Sequence, residues 1–181
     1  MRKKFLLIFF FLPLFAQAVV MIPLNLDKLT QKADIIVLGH CIDRRVYESG
    51  KMIWTEYTIR VYEVLKGDAK IKEVKVRQPG GEVGERGIKV SGTVSFLPLE
   101  ESLLFLKKTS SGAYQPVGWA QGKFKLYYDE KTKKKYARQE LGGITFWKKS
   151  KKDSLPPSKI ELKELKSQIK AVLKQSLKKD K

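Results

Sequence analysis

The stretch Ile53-Trp54-Thr55-Glu56-Tyr57-Thr58-Ile59-Arg60-Val61-Tyr62-Glu63-Val64-Leu65 decides the fold class. One parity reads Ile53, Thr55, Tyr57, Ile59, Val61, Glu63 and Leu65; the other reads Trp54, Glu56, Thr58, Arg60, Tyr62 and Val64. Successive side chains of a strand point to opposite faces, so the first set forms a buried face and the second a mixed, partly wetted one. Upstream, Ile35-Ile36-Val37-Leu38-Gly39-His40-Cys41-Ile42 is apolar on both parities and too short and β-branched for a helix. Such a run marks a central strand, here Ile35 to Arg45, covered on both faces. Ser49-Gly50 supplies the turn that joins the two strands as an antiparallel hairpin.

Working outward, Lys66-Gly67-Asp68 ends the long strand, and Ile71 to Arg77 forms a shorter one with Val74 and Val76 inward. Residues 78–92 hold Gly80, Gly81, Gly84, Gly87 and Gly92 around Glu82, Glu85 and Arg86. That density of glycine predicts a long loop with several positive-φ or close-approach positions, and a brief strand at Ile88 to Val90. Ser102 to Leu106, Tyr114 to Trp119, Lys123 to Asp129 and Lys134 to Gln139 follow as strands, the last two as hairpin partners. Asn25 caps a short helix over 26–33. After a lysine- and proline-containing linker over 148–157, Ser158 and Glu161 form a capping box. The helix it opens carries Leu162, Leu165, Ile169, Val172, Leu173 and Leu177 on one face and lysines on the other.

The expected architecture is α+β, mainly antiparallel β: a small OB-like barrel or sandwich with a short N-terminal helix and a longer C-terminal helix. Its segments are 1–18, a core over 19–147, the linker 148–157 and the cationic helix 158–181.

Segment 1–18 has the layout of a cleavable signal peptide. Arg2, Lys3 and Lys4 precede the apolar stretch Phe5 to Phe15, and Ala16-Gln17-Ala18 offers small residues at the cleavage site. An uncleaved anchor is the alternative; Pro13 and Pro23 interrupt the longer run it needs. Cleavage after Ala18 leaves Val19 first and predicts export to the periplasm or beyond the cell. The remainder carries 34 Lys/Arg against 19 Asp/Glu. Residues 123–181 hold 19 of those basic residues and only 7 of the acidic ones, so the C-terminal third is the cationic part. The single Cys41 means that no internal disulfide supports the fold, and its apolar neighbours predict a buried thiol.

His40 and Cys41 are adjacent on a strand, so they face opposite ways and form no nucleophile–base pair. No His/Cys spacing suits zinc. Glu82 with Glu85 is the only local carboxylate pair, and two solvated loop charges is its plainer reading. The glycine-rich segment lacks the Gly-Lys-Ser/Thr ending of a phosphate loop. The reading is therefore of a non-enzymatic protein with no cofactor and no metal. Gly80, Gly81, Glu82, Gly84, Glu85 and Arg86 form its candidate partner-binding loop, because long ordered loops carry function. The basic C-terminal region has three readings. Lys163, Lys166, Lys170 and Lys174 meet an anionic envelope surface, or the helix packs on its own barrel with its lysines in water, or it binds nucleic acid, which export argues against.

Ala33-Asp34-Ile35-Ile36-Val37-Leu38-Gly39, Tyr57-Thr58-Ile59 and Val64-Leu65-Lys66-Gly67 resemble, in order and spacing, an uncharacterised group of exported bacterial proteins. So do Pro79-Gly80-Gly81-Glu82-Val83-Gly84, Val90-Ser91-Gly92, Leu103-Leu104-Phe105-Leu106 and Ala120-Gln121-Gly122-Lys123-Phe124. The Ala33-Asp34 start and the strand ending in Lys66-Gly67 also resemble the netrin-like fold, the OB-type barrel of the tissue inhibitors of metalloproteinases. That resemblance implies a protein partner, an exported metalloprotease. In those inhibitors an N-terminal cysteine chelates the protease zinc through its amine and carbonyl; here Val19 stands at that position.

Overall fold

The computed structural model describes residues 19–147 and 154–179, so the expected signal peptide over 1–18 and residues 148–153 of the expected linker lie outside it. The first half of the chain runs β1 (Val19–Met21), α1 (Leu26–Lys32), β2 (Ile35–Ser49), β3 (Met52–Lys66), β4 (Glu73–Pro79), β5 (Gly81–Val83) and β6 (Arg86–Ile88). The second runs β7 (Glu101–Lys108), β8 (Tyr114–Pro116), a 3₁₀ turn (Trp119–Gly122), β9 (Lys123–Asp129), β10 (Lys134–Gln139), β11 (Ile144–Phe146), β12 (Ile160–Glu161) and α2 (Leu162–Lys179). The fold is α+β, with one large, mainly antiparallel sheet and a helix toward each end.

That sheet has the order β12-β10-β9-β7-β2-β3-β4-β8, and β8 also pairs with β7. The strands β7-β2-β3-β4-β8 thus return on themselves, but the closure is uneven. β8 meets β7 over three residue pairs and meets β4, in parallel, only at Val76↔Tyr114.

The long β2–β3 hairpin forms as expected and runs further, to Ser49 and Met52, around Gly50 with φ 62°. Ile53, Thr55, Tyr57, Ile59 and Val61 are buried, as their parity predicts. Beyond Val61 the alternation shifts. The pairing jumps from Gly39↔Val61 to Leu38↔Glu63, and from Val37↔Val64 to Ile36↔Lys66, so Tyr62 and Leu65 are bulged out of register. Each extra residue swaps faces; Val64 consequently joins the inner core and Leu65 the outer one. Gly39 is required here, because a Cβ would lie 2.4 Å from the Arg60 carbonyl oxygen.

β2 and β7 are buried on both sides. Ile35, Val37, Leu104 and Leu106 fill the inside of the ring with Tyr57, Ile59, Val74 and Phe96. Ile36, Leu38, Leu103 and Phe105 face the other way and are covered by Leu29 of α1 and Leu165 and Ile169 of α2. Asn25 caps α1, its side chain accepting from the Lys28 N–H at 2.9 Å. Lys66 Nζ donates to the Thr30 and Ala33 carbonyls at the other end.

α2 starts at Leu162, four residues after the Ser158 cap. Ile160, buried, pairs with Ala137 of β10, and Glu161 takes Lys134 as its partner at 2.7 Å, so the capping box does not form. Leu162, Leu165, Ile169 and Leu173 pack into the outer core, whereas Leu177 is exposed. β1 lies parallel to β11, Val19↔Ile144 to Met21↔Phe146. Among the described residues no helix is long and apolar enough to cross a membrane.

Candidate functional site

The glycine-rich segment is only in part a loop: residues 81–88 form a hairpin, and 89–92 are irregular. β4 continues to Pro79, and β5 and β6 form a tight antiparallel hairpin, Gly81↔Ile88 to Val83↔Arg86. The short strand falls at Arg86–Ile88 and not at Ile88 to Val90. Gly80 and Gly81 have φ of 104° and 130°, and a Cβ on Gly81 would lie 2.6 Å from Val46 and 2.7 Å from Thr55. The hairpin therefore folds back onto β2 and β3 through glycine, where any other residue would collide.

Beneath it lies an open cleft of about 670 Å³. Of the six residues expected to bind a partner, Gly80, Gly81 and Glu82 line it. Gly84 and Glu85 form the hairpin tip, and Arg86 pairs with Glu48 at 3.1 Å, bracing the hairpin against β2. The sequence reading missed Arg44, Tyr57, Lys89 and Thr93, which also line the cleft.

The floor is held by satisfied polar groups. Thr55 Oγ1 donates to the Gly80 carbonyl at 2.7 Å. The buried Gln78 side chain donates to the Val94 carbonyl and accepts from the Val94 N–H at 2.9 Å. Tyr57 is buried; desolvation raises its pKa, opposed chiefly by the positive charge of the Arg44 guanidinium. Its ring packs 4.8 Å from that of Phe96.

Behind the cleft wall sits a buried ion pair. The side chains of Lys123 and Glu100 are 4% and 6% exposed, with Nζ 2.5 Å from the carboxylate. Lys123 also donates to the Ser95 carbonyl and lies 4.4 Å from the centre of the Phe96 ring. Lys125 reaches the other carboxylate oxygen at 3.1 Å. Burial alone would raise the Glu100 pKa; hydrogen bonds from Lys123 and Lys125 outweigh it and hold the group below its usual 4.5. The pair anchors the segment 93–96 that forms one side of the cleft.

Cys41 is buried in the inner core, its Sγ donating to the Asp43 carbonyl at 3.4 Å, and desolvation raises its pKa. A buried thiol that stays protonated is a poor nucleophile. The folded protein is expected to resist iodoacetamide and to be alkylated stoichiometrically once denatured, as mass spectrometry would read. His40 is half-buried, in register between Arg60 and Glu101. Among the described residues, no three His, Cys, Asp or Glu side chains come together to hold a metal ion.

The helix lysines separate in the same way. Lys163, Lys166 and Lys170 line a second cleft with residues of β10, and Lys174 lies outside it. Among known proteins, no family model matches this sequence, and no curated protein matches it.

Proposed function

We propose that the chain is an exported, non-catalytic binding module on an OB-like barrel, taking a segment of a protein partner into the cleft beneath β5–β6. The observation that carries the reading is the cleft itself. Its floor is hydrogen-bonded through Thr55 and Gln78, its roof is a glycine-pinned hairpin, and the exposed Arg44, Lys89 and Glu82 stand around it. A preformed concave surface with a few placed polar groups is the usual form of a recognition site.

The test uses charge reversal, Arg44→Glu with Lys89→Glu, on the protein bearing an affinity tag. Partner capture from the exported fraction, followed by reconstitution with the purified partner, is expected with the native chain and lost with the variant. Both side chains are exposed, and a retained cooperative thermal transition checks that the variant is folded. Undiminished reconstitution by a folded variant would remove the cleft from consideration.

A metalloprotease inhibitor-like role is the second reading. It is favoured by the placement of β1, which sets Met21 against Gly92 at the end of the glycine-rich segment. An exported zinc protease encoded next to this chain, inhibited by it only when Val19 is the first residue, would support that reading.

A further inference from the structure

We infer that the cleft between β10 and the first turns of α2 is a binding site for phosphate groups. It shares no lining residue with the hairpin cleft and encloses about 580 Å³. Lys133, Lys134 and Lys135 stand on one wall and Lys163, Lys166 and Lys170 on the other. Four of the six already have carboxylate partners. Lys133 pairs with Glu130 at 3.0 Å, Lys134 with Glu161 at 2.7 Å, Lys166 with Glu63 at 2.6 Å, and Lys135 with Glu101. Among the described residues Lys163 and Lys170 make no ion pair; both are exposed, and they flank Ser167 on the same helix face. Six lysines against four paired carboxylates leave two lysines of the cleft without an ion-pair partner among the described residues.

The donor chemistry selects the occupant. No arginine lines the cleft, so there is no planar fork to match a carboxylate; ammonium groups act as point charges suited to a compact, multiply charged oxyanion. No aromatic residue lines it either, which removes the stacking platform that single-stranded nucleic acid uses. The apolar stripe of α2 is occupied by the outer core, so this helix does not reach an anionic surface by inserting apolar residues. What it offers is a lysine-lined recess for a phosphate, either free or on a lipid headgroup.

The chain from Val19 onward, which contains every described element, is titrated with inorganic pyrophosphate and, separately, with phosphatidylglycerol vesicles. Lys163→Ala with Lys170→Ala is expected to weaken pyrophosphate binding by about tenfold, a decade in Kd. Lys174→Ala with Lys178→Ala removes the same charge from the same helix outside the cleft, and is expected to change binding by less than about twofold. Vesicle retention that follows the same ranking identifies the lipid headgroup as the source; pyrophosphate binding without retention identifies free phosphate. Equal weakening by the two variants reduces the effect to diffuse charge and overturns the site. So does failure of the native chain to bind either probe, or tighter binding of a single-stranded oligonucleotide that ignores Lys163 and Lys170.

Discussion

Replacing Glu100 with glutamine is expected to lower the free energy of unfolding by about 3–5 kcal/mol, the cost of stranding a buried charge. The stranded charge is Lys123, whose side chain is 4% exposed and whose nearest other carboxylate, Glu140, is 3.9 Å away. Lys123→Met should cost less, because Lys125 still neutralises Glu100 from 3.1 Å. The double variant should lose clearly less than the sum of the two, with a coupling of about 0.5–3 kcal/mol. Urea titrations with an unchanged slope would measure all three, and strict additivity would refute the pairing. The acid limb follows from the direction of the shift. The Glu100 pKa is depressed in the folded state, so its contribution is complete above the usual 4.5 and fades as pH falls from there through the lowered folded value. The glutamine variant should therefore lose less stability on acidification across that window than the native protein does.

Ile169→Ala is expected to cost about 2–5 kcal/mol, since the side chain is fully buried. Ending the chain at Pro157 goes further: it removes β12 and α2 together and uncovers Ile36, Leu38, Phe105 and Phe124. The truncated protein should lose its cooperative thermal transition and bind a hydrophobic dye. A truncated core that melted like the intact one would mean that α2 is an appendage. The experiment bears on function as well, because loss of surface binding on such truncation would report an unfolded core and not a missing contact.

Much of the strand layout was legible. The alternation from Ile53 to Val61 and the two-sided run at Ile35 to Leu38 read correctly because burial imposes those patterns directly. The reading lost its phase beyond Val61, since a bulge at Tyr62 leaves no trace in composition. β8 was expected from Tyr114 but ends at Pro116, before the turn at Trp119, and β11 and β12 are three and two residues long, too short to show any period. The hairpin β5–β6 was taken for a loop because glycine has no side chain with which to mark a face. Ser158 and Glu161 matched a helix cap in spacing, but a strand pairing at Ile160 and an ion pair to Lys134 won the competition for those groups.

The candidate sites were half legible for a related reason. Gly80, Gly81 and Glu82 announced themselves by composition. Arg44 sits in a polar stretch that reads as ordinary solvated strand, and Lys133 to Lys135 read as the end of a charged turn and the start of a hairpin strand. Both acquire a role only through partners far away in sequence: Arg44 through the phenol of Tyr57 and the loop over 93–95, and the lysines through the facing side of α2.

The double-sided burial of β2 and β7 has a consequence in time. Synthesis proceeds from the N-terminus, and residues 162–179 follow every strand of the sheet. Until they emerge, the side of the sheet carrying Ile36, Leu38 and Phe105 has only α1 as cover. A chain built this way is expected to reach its full stability only when its last helix docks beside its first.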